Sequence, residues 1–312
     1  MFHAKVDQRT SLAGKNRFEM LVFKVNQQTF GINVFKVREI VRLTEVRRAP
    51  HMHPHLLGLA SIRGEALPVI NTHKAIGMGD SQSEQPMLIV TEFNQRALAF
   101  LVDSVQHTVT LDWNECEPPP TRYQQSGLLT AYANVEGSKV GILDVEKILS
   151  VIDGERRNRP KVDANQVQRD DKILVVDDSR IARRQVTRTV ESLGFKAIEF
   201  ANGKEALLHL QQLVADGLEV QQQYALMITD IEMPVMDGYT LTSKVKSTQE
   251  LRELTVVMHS SLSGVFNTAM TQKVGADFFL AKFDAEALQD LIKEAFELSQ
   301  SKLKAQFEVT TQ

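Results

Sequence analysis

Apolar residues fall in two different rhythms along the chain. Between residues 17 and 151 they gather in short runs: FEMLVFKV at 18–25, MLIVTEF at 87–93, RALAFLV at 96–102, SVQHTV at 104–109 and SKVGILDV at 138–145. Several are bounded by turn-forming pairs such as Asn94-Gln95 and Glu136-Gly137. Runs of this length with turn punctuation predict strands, so this half is expected to be mainly β. From residue 172 to 300 the runs ILVV, AIEF, ALMIT, TVVM and DFFLA alternate with segments of helical spacing. Ala182, Val186, Val190 and Leu193 recur every three or four positions, as do Leu207, Leu210 and Val214, and then Leu288, Leu291, Ile292, Ala295 and Phe296. Five strands alternating with five helices in about 130 residues predict a parallel sheet covered on both faces.

The stretch at 152–171, IDGERRNRPKVDANQVQRDD, is charged and polar and its few apolar residues share no period, so it reads as a linker. Residues 1–16 and 301–312 are expected to be tails. The segment LVADGLEVQQQ before the third strand of the second half is expected to extend a helix and loop away from the strand ends. No repeat of 20–50 residues is present.

Composition narrows the partners. A chain of 312 residues predicts two domains, each able to bury a core. The formal charge of -3 offers no basic excess for nucleic acid. The lone Cys116 excludes an internal disulfide, fits a reducing cytoplasm and is expected to be a small core or loop residue. The start lacks an apolar signal region, and the longest clean apolar run, ALAFLV, falls far short of the ~20 residues of a membrane helix. The expected protein is neither exported nor membrane-spanning.

The candidate chemistry lies at strand ends of the second half. ILVV runs into Asp177 and Asp178, and ALMIT runs into Asp230. In an open parallel sheet ligands bind outside the carboxyl ends of the strands, so these carboxylates should converge there. Such crowding resists ionisation unless a cation sits among the groups, and an all-oxygen set with room for water suits Mg²⁺. TVVMH leads to Ser260 and Ser261, and DFFLA to Lys282, a hydroxyl and an ammonium. Phosphoryl transfer is catalysed mostly by positioning and charge neutralisation, and a carboxylate serves as its nucleophile.

Residues 171–300 accordingly resemble a response-regulator receiver domain, the family of the chemotaxis protein CheY, through VVDDS at 175–179, DIEMPVMDG at 230–238, Ser260-Ser261 and Lys282. The resemblance implies a flavodoxin-like (βα)5 fold with strand order 2-1-3-4-5, the order known for CheY itself. It further implies Asp230 as phosphoacceptor and Asp178 as direct metal ligand, with Asp177 acting through water and the backbone carbonyl of Glu232 completing the set. Ser260 and Lys282 would hold the phosphoryl oxygens, and Phe279 would be the aromatic that rotates inward with Ser260.

Residues 18–150 resemble the CheW coupling domain through FGINVFKVREI at 30–40, HLLGLASIRG at 55–64, LPVI at 67–70, ALAFLVDSV at 97–105 and GILDVEKIL at 141–149. The implied fold is a pair of small five-stranded β-barrels that binds chemoreceptors and the kinase CheA. Val37, Glu39 and Arg63 lie in the segments that meet those partners. On local grounds an amphipathic helix would explain Val37 and Glu39, and a solvated turn Arg63. This half has no nucleotide-binding loop, nucleophile elbow or zinc-protease motif. His51, His53 and His55 alternate, but Pro54 breaks the strand a metal site would need, and a solvated loop is expected. Trp113 and Pro118-Pro119-Pro120 read as a loop between strands.

A coupling domain followed by a receiver is the arrangement of the CheV family, which the whole chain resembles. The implied role is a cytoplasmic adaptor recruited to membrane receptor arrays, linking chemoreceptors to the histidine kinase and regulated by phosphorylation of Asp230. It would not be an enzyme beyond phosphotransfer to its own Asp230 and self-dephosphorylation. A pure phosphate sink tethered to the array is the alternative. A methylesterase would need a nucleophile and base, and a transcriptional regulator a helix-turn-helix with a basic face; neither is present.

Overall fold

A computed structural model describes residues 14–48, 50–93, 96–119, 128–153, 170–260, 265–281 and 285–310. The chain forms two compact units, one of Phe18–Arg156 and one that joins Met1–Arg17 to Arg157–Gln312.

The first unit is all-β with short helical insertions. Strands β1 (Arg17–Val25) and β2 (Gln28–Asn33) form a hairpin, followed by β3 (Val37–Arg42), β4 (Val46–Arg47), β5 (Leu56–Ile62) and β6 (Glu65–Asn71). After the single-turn helix α1 (Thr72–Ala75) come β7 (Met87–Phe93), β8 (Arg96–Val102), β9 (Ser104–Asp112), β10 (Leu129–Val135), β11 (Ser138–Leu143) and helix α2 (Val145–Asp153). One sheet has five strands in the order β10-β11-β2-β1-β9, and the other six, β3-β7-β8-β6-β5-β4. The sixth is the two-residue β4, too short to register as an apolar run.

The continuous apolar runs of β1 and β8 arise because these strands are buried on both faces. Phe18, Met20 and Val22 of β1 enter a core with Leu111, Ala131 and Ile142, while Leu21, Phe23 and Val25 enter a second core with Ile70, Ile89 and Phe100. In the other sheet Leu98, Phe100 and Val102 of β8 face that second core, and Ala99 and Leu101 a third with Ile62, Leu67 and Val69. The period-two alternation of a strand thus assigns each side chain to one of two cores.

One local expectation is corrected. Val37 and Glu39 lie on strand β3, paired with β7, and not on a helix. Trp113 stands in the connection between β9 and β10, as expected, and its ring is buried and stacks on Phe18 with centroids 4.0 Å apart. Cys116 is a core residue, and burial, then the charges of Glu115 and Asp112, push its thiol up to about 12. At pH 8 only roughly 10⁻⁴ of it is thiolate, so a maleimide should label the native chain negligibly and the denatured chain fully. Fast native labelling would contradict this packing.

The second unit alternates strictly. Its elements are β12 (Lys172–Val176), α3 (Arg180–Ser192), β13 (Lys196–Phe200), α4 (Gly203–Ala215), α5 (Val220–Gln223), β14 (Tyr224–Thr229), α6 (Gly238–Ser247), β15 (Thr255–Ser260), α7 (Val265–Val274), β16 (Phe278–Ala281) and α8 (Ala285–Thr310). The sheet is parallel in the order β13-β12-β14-β15-β16, the doubly wound order 2-1-3-4-5. Ile173, Val175, Leu226, Ile228 and Val257 pack on one face against Val186 and Val190 of α3 and Leu288, Ile292 and Ala295 of α8.

The insertion before β14 does extend a helix and loop. α4 closes with Leu218 N–H donating to Leu213 carbonyl, and the single turn α5 follows. Helix α8 runs past residue 300 to Thr310, so the segment expected as a tail is largely helical. Lys302 on α8 reaches Asp277 at 2.6 Å, and Asp277 also holds Lys246 at 2.8 Å and Val256 N–H at 2.8 Å. No helix among the described residues is long and apolar enough to cross a membrane.

Candidate functional site

The strand ends of β12 and β14 place the acidic residues. Asp230 N–H donates to Val176 carbonyl at 2.8 Å and Asp177 N–H to Phe200 carbonyl at 3.2 Å, so the sheet's bonding continues one residue beyond each strand. That fixes both backbones on the carboxyl edge. Asp177 Oδ1 then accepts Ser179 N–H at 2.8 Å, and Ser179 caps α3. Asp230 Oδ1 accepts Ile231 N–H at 2.7 Å, which sets its orientation. Arg183 of α3 donates to the Asp177 carbonyl and pairs with Glu199 at 3.1 Å.

Asp177, Asp178 and Asp230 each offer an oxygen, and these oxygens lie within 4.8 Å of one another. Asp177 is 2% exposed and Asp230 7%, with Asp178 half-buried. Three carboxylates in a poorly hydrated pocket repel strongly, and the arrangement fits a hard cation with oxygen ligands: opposite ligands of an octahedral Mg²⁺ stand about 4.2 Å apart. The negative field is visible on Tyr239. Its buried hydroxyl is pushed far above its usual range by desolvation first, then by Asp237, Glu232 and Asp230.

The loop after Asp230 is tightly held. Asp237 caps α6 by accepting Thr240 N–H at 2.6 Å, and Gly238 N–H donates to Ile231 carbonyl at 2.9 Å. A Cβ at Gly238 would fall 2.0 Å from the Asp230 carbonyl oxygen, so no other residue fits without moving the backbone. Val235 sits at φ +72°, where Met236 N–H donates to Pro234 carbonyl at 2.9 Å, a left-handed γ-turn. A β-branched residue there is strained.

Ser260 ends β15, fully buried, in register with Ala281 of β16. Phe279 is half-buried on β16 opposite Met258, and its neighbours Phe278 and Leu280 turn to the α3 and α8 side. Glu232 is half-buried in the loop. Lys282 and Ser261 lie outside the described residues. The sequence pattern alone assigns no role to Asp237 and Gly238, although both stand in the motif; a short acid-glycine step opening a helix was the available signal.

In the first unit Arg63 and Glu39 meet. Arg63, at φ +49° in the tight β5–β6 turn, places Nε 2.7 Å from Glu39 Oε2 and 3.1 Å from Oε1. The arginine is 74% exposed and the glutamate 16%. Val37 begins β3 and packs against the second core. Of the three histidines, His53 and His55 are half-buried with rings 4.7 Å apart, and partial burial lowers the His55 pKa.

Family comparison agrees with this division. The family model of the CheW-like domain matches residues 19–153, and that of the response regulator receiver domain matches residues 173–293. The chain joins a CheW-like domain to a receiver domain. Chemotaxis protein CheV3 of Helicobacter pylori is 28% identical, over 85% of this chain and 88% of that protein. CheV1 of the same organism is 28% identical over 95% of this chain and 98% of its own. The solved chemotaxis protein CheY4 of Vibrio cholerae is 26% identical, covering 41% of this chain and 99% of that one, with a TM-score of 0.36. The carboxylate cluster belongs to the receiver domain, and the Arg63–Glu39 pair to the CheW-like domain.

Proposed function

We propose that this chain is a cytoplasmic chemotaxis adaptor whose CheW-like domain couples chemoreceptors to the histidine kinase CheA, and whose coupling is regulated by phosphorylation of Asp230. The observation that carries this reading is the convergence of Asp177, Asp178 and Asp230 at the edge of a receiver sheet that follows a CheW-like domain in one chain. Domain boundaries near 17–151 and 172–300 with a linker at 152–171 are part of the proposal, with α2 ending the first domain at Asp153 and α8 carrying the receiver on to Thr310.

Asp178, Asp230 and the Glu232 carbonyl would hold Mg²⁺, with Asp177 reaching it through water. Bound there, the metal supplies charge neutralisation to the transferring phosphoryl group. Asp230 is the nucleophile: a carboxylate oxygen forms the new P–O bond as the P–N bond of the donor phosphohistidine breaks and the imidazole leaves. The Ile231 N–H holds the carboxylate in place, which removes part of the orientational cost of attack. Ser260 and Lys282 bind the phosphoryl oxygens, and Phe279 follows Ser260. Hydrolysis of the acyl phosphate returns Asp230, and no other catalysis is assigned.

Val37, Glu39 and Arg63 form the partner-binding face. Arg63 is well exposed, so its ion pair contributes only ~0–1 kcal/mol to stability, and Arg63→Ala should melt near wild type. Its loss at an interface costs about 2 kcal/mol, a roughly thirtyfold drop in affinity. Co-sedimentation with receptor membranes should fall accordingly while phosphotransfer from an excess of free phosphodonor domain stays normal. Unchanged co-sedimentation would remove Arg63 from the interface.

The decisive test reconstitutes receptor, kinase and this chain and follows kinase output. Wild type should alter output in step with its phosphorylation, and Asp230→Ala should keep the coupling but lose that dependence. If output follows only the drain of phosphoryl groups, with coupling insensitive to Asp230, the chain is a tethered phosphate sink.

A further inference from the structure

The loop that follows Asp230 is gripped from outside the receiver's own alternation of strands and helices. Asn16, in the unit that joins the chain's start to the receiver, is 6% exposed and engages that loop through both ends of its side-chain amide. Its Nδ2 donates to Val235 carbonyl at 3.0 Å, and its Oδ1 accepts Asp237 N–H at 3.0 Å. Asn16 N–H donates to Thr240 Oγ1 at 2.7 Å. With Thr240 N–H on Asp237 Oδ1 at 2.6 Å, the bonds close a ring through Asn16, Thr240 and Asp237. Asparagine suits the place because its backbone sits at φ +58°, which this residue tolerates better than most. Gly14 comes close to α6: a Cβ there would fall 3.1 Å from Ser243 Oγ.

We propose that Asn16 is a positioning residue for the phosphoacceptor loop and carries its state to the CheW-like domain. The inference rests on the reading of Asp230 as phosphoacceptor. Asn16 holds the strained Val235 turn and the Asp237 cap, and Gly238 ties that cap to Ile231 and abuts the Asp230 carbonyl. A change of backbone at 230–232 therefore cannot occur without moving the groups that Asn16 binds. The next residue, Arg17, opens β1, whose following side chains alternate between two cores. Asn16 is thus joined by one peptide bond to the first residue of β1. Linkage makes the effect reciprocal: whatever the phosphoryl group does to the grip of Asn16, that grip does to occupancy of the site.

The test compares the full chain with Asn16→Gly, which keeps a left-handed backbone unstrained and deletes the side chain. Hydrogen exchange is read on peptides covering 17–25, 170–180 and 235–247, without ligand and with saturating Mg²⁺ and beryllofluoride as phosphoryl analogue. Without ligand, the variant should exchange 235–247 about five- to thirtyfold faster, as expected for one or two lost hydrogen bonds. In wild type the analogue should protect 170–180 and change exchange of 17–25 by about fivefold or more. In the variant 170–180 should still respond and 17–25 should not. Unchanged exchange of 235–247 in the variant overturns the inference, as does a silent 17–25 in wild type while 170–180 responds. If 170–180 does not respond in wild type, the phosphoacceptor reading itself fails, and the inference with it.

Discussion

Asp230→Asn should reduce phosphate incorporation from a phosphohistidine donor by at least about 10³-fold, and excess EDTA should do the same to wild type. The substitution is nearly isosteric, and the amide oxygen can still accept Ile231 N–H, so the loop after β14 has no reason to shift. What disappears is the anionic oxygen proposed as the nucleophile. One charge also leaves a pocket where three carboxylate oxygens lie within 4.8 Å. In the absence of metal, relief of that repulsion should stabilise the receiver by about 1 kcal/mol, raising its melting temperature by a few degrees. The paired readouts are labelled-phosphate transfer and thermal unfolding in EDTA. Transfer that survives in Asp230→Asn would remove Asp230 as acceptor; a large fall in melting temperature would make the carboxylate a structural group.

The receiver half was legible because its carboxylate cluster follows directly from its strands. Parallel strands covered on both faces are continuous apolar runs, and Asp177, Asp178, Asp230 and Ser260 stand at or just past their ends, where the fold collects them. The coupling half was legible as strands but less so in detail. VREIVR satisfies helical spacing, and only pairing with β7, some fifty residues on, makes it a strand on which Val37, Glu39 and Val41 are partly buried and Arg38, Ile40 and Arg42 exposed. Trp113 stands in the inter-strand connection its sequence indicated, and only the tertiary stack on Phe18 shows that its ring is buried. Asn16 carries no local signal, since its partners lie 219 to 224 residues away. LSQSKLKAQ is rich in helix formers and free of Gly and Pro, so the run of α8 past residue 300 was locally readable, whereas the strand β3 and the burial of Trp113 were not. Tertiary contacts of this kind override local preference.

Gly238→Ala should destabilise the receiver by about 2–3 kcal/mol, although alanine at the start of a helix ordinarily stabilises it by ~0.5–1 kcal/mol. The opposite sign comes from one contact. The added methyl would lie 2.0 Å from the Asp230 carbonyl oxygen and 3.0 Å from its carbon, both backbone atoms at the end of a fully buried strand. No flexible side chain can give way. Either α6 must withdraw, breaking Gly238 N–H to Ile231 carbonyl and straining the Asp237 cap, or the Asp230 peptide must move. On the proposed role of Asp230, phosphotransfer should fall along with stability in both cases, since the orientation of its carboxylate depends on the same peptide. For a domain of about 130 residues the loss amounts to roughly 8–15 °C in the receiver's melting transition. Because the CheW-like domain has its own cores, its transition should stay in place. Calorimetry of the full chain resolves the two. A receiver transition that is unchanged or raised would mean that Gly238 does not press on Asp230.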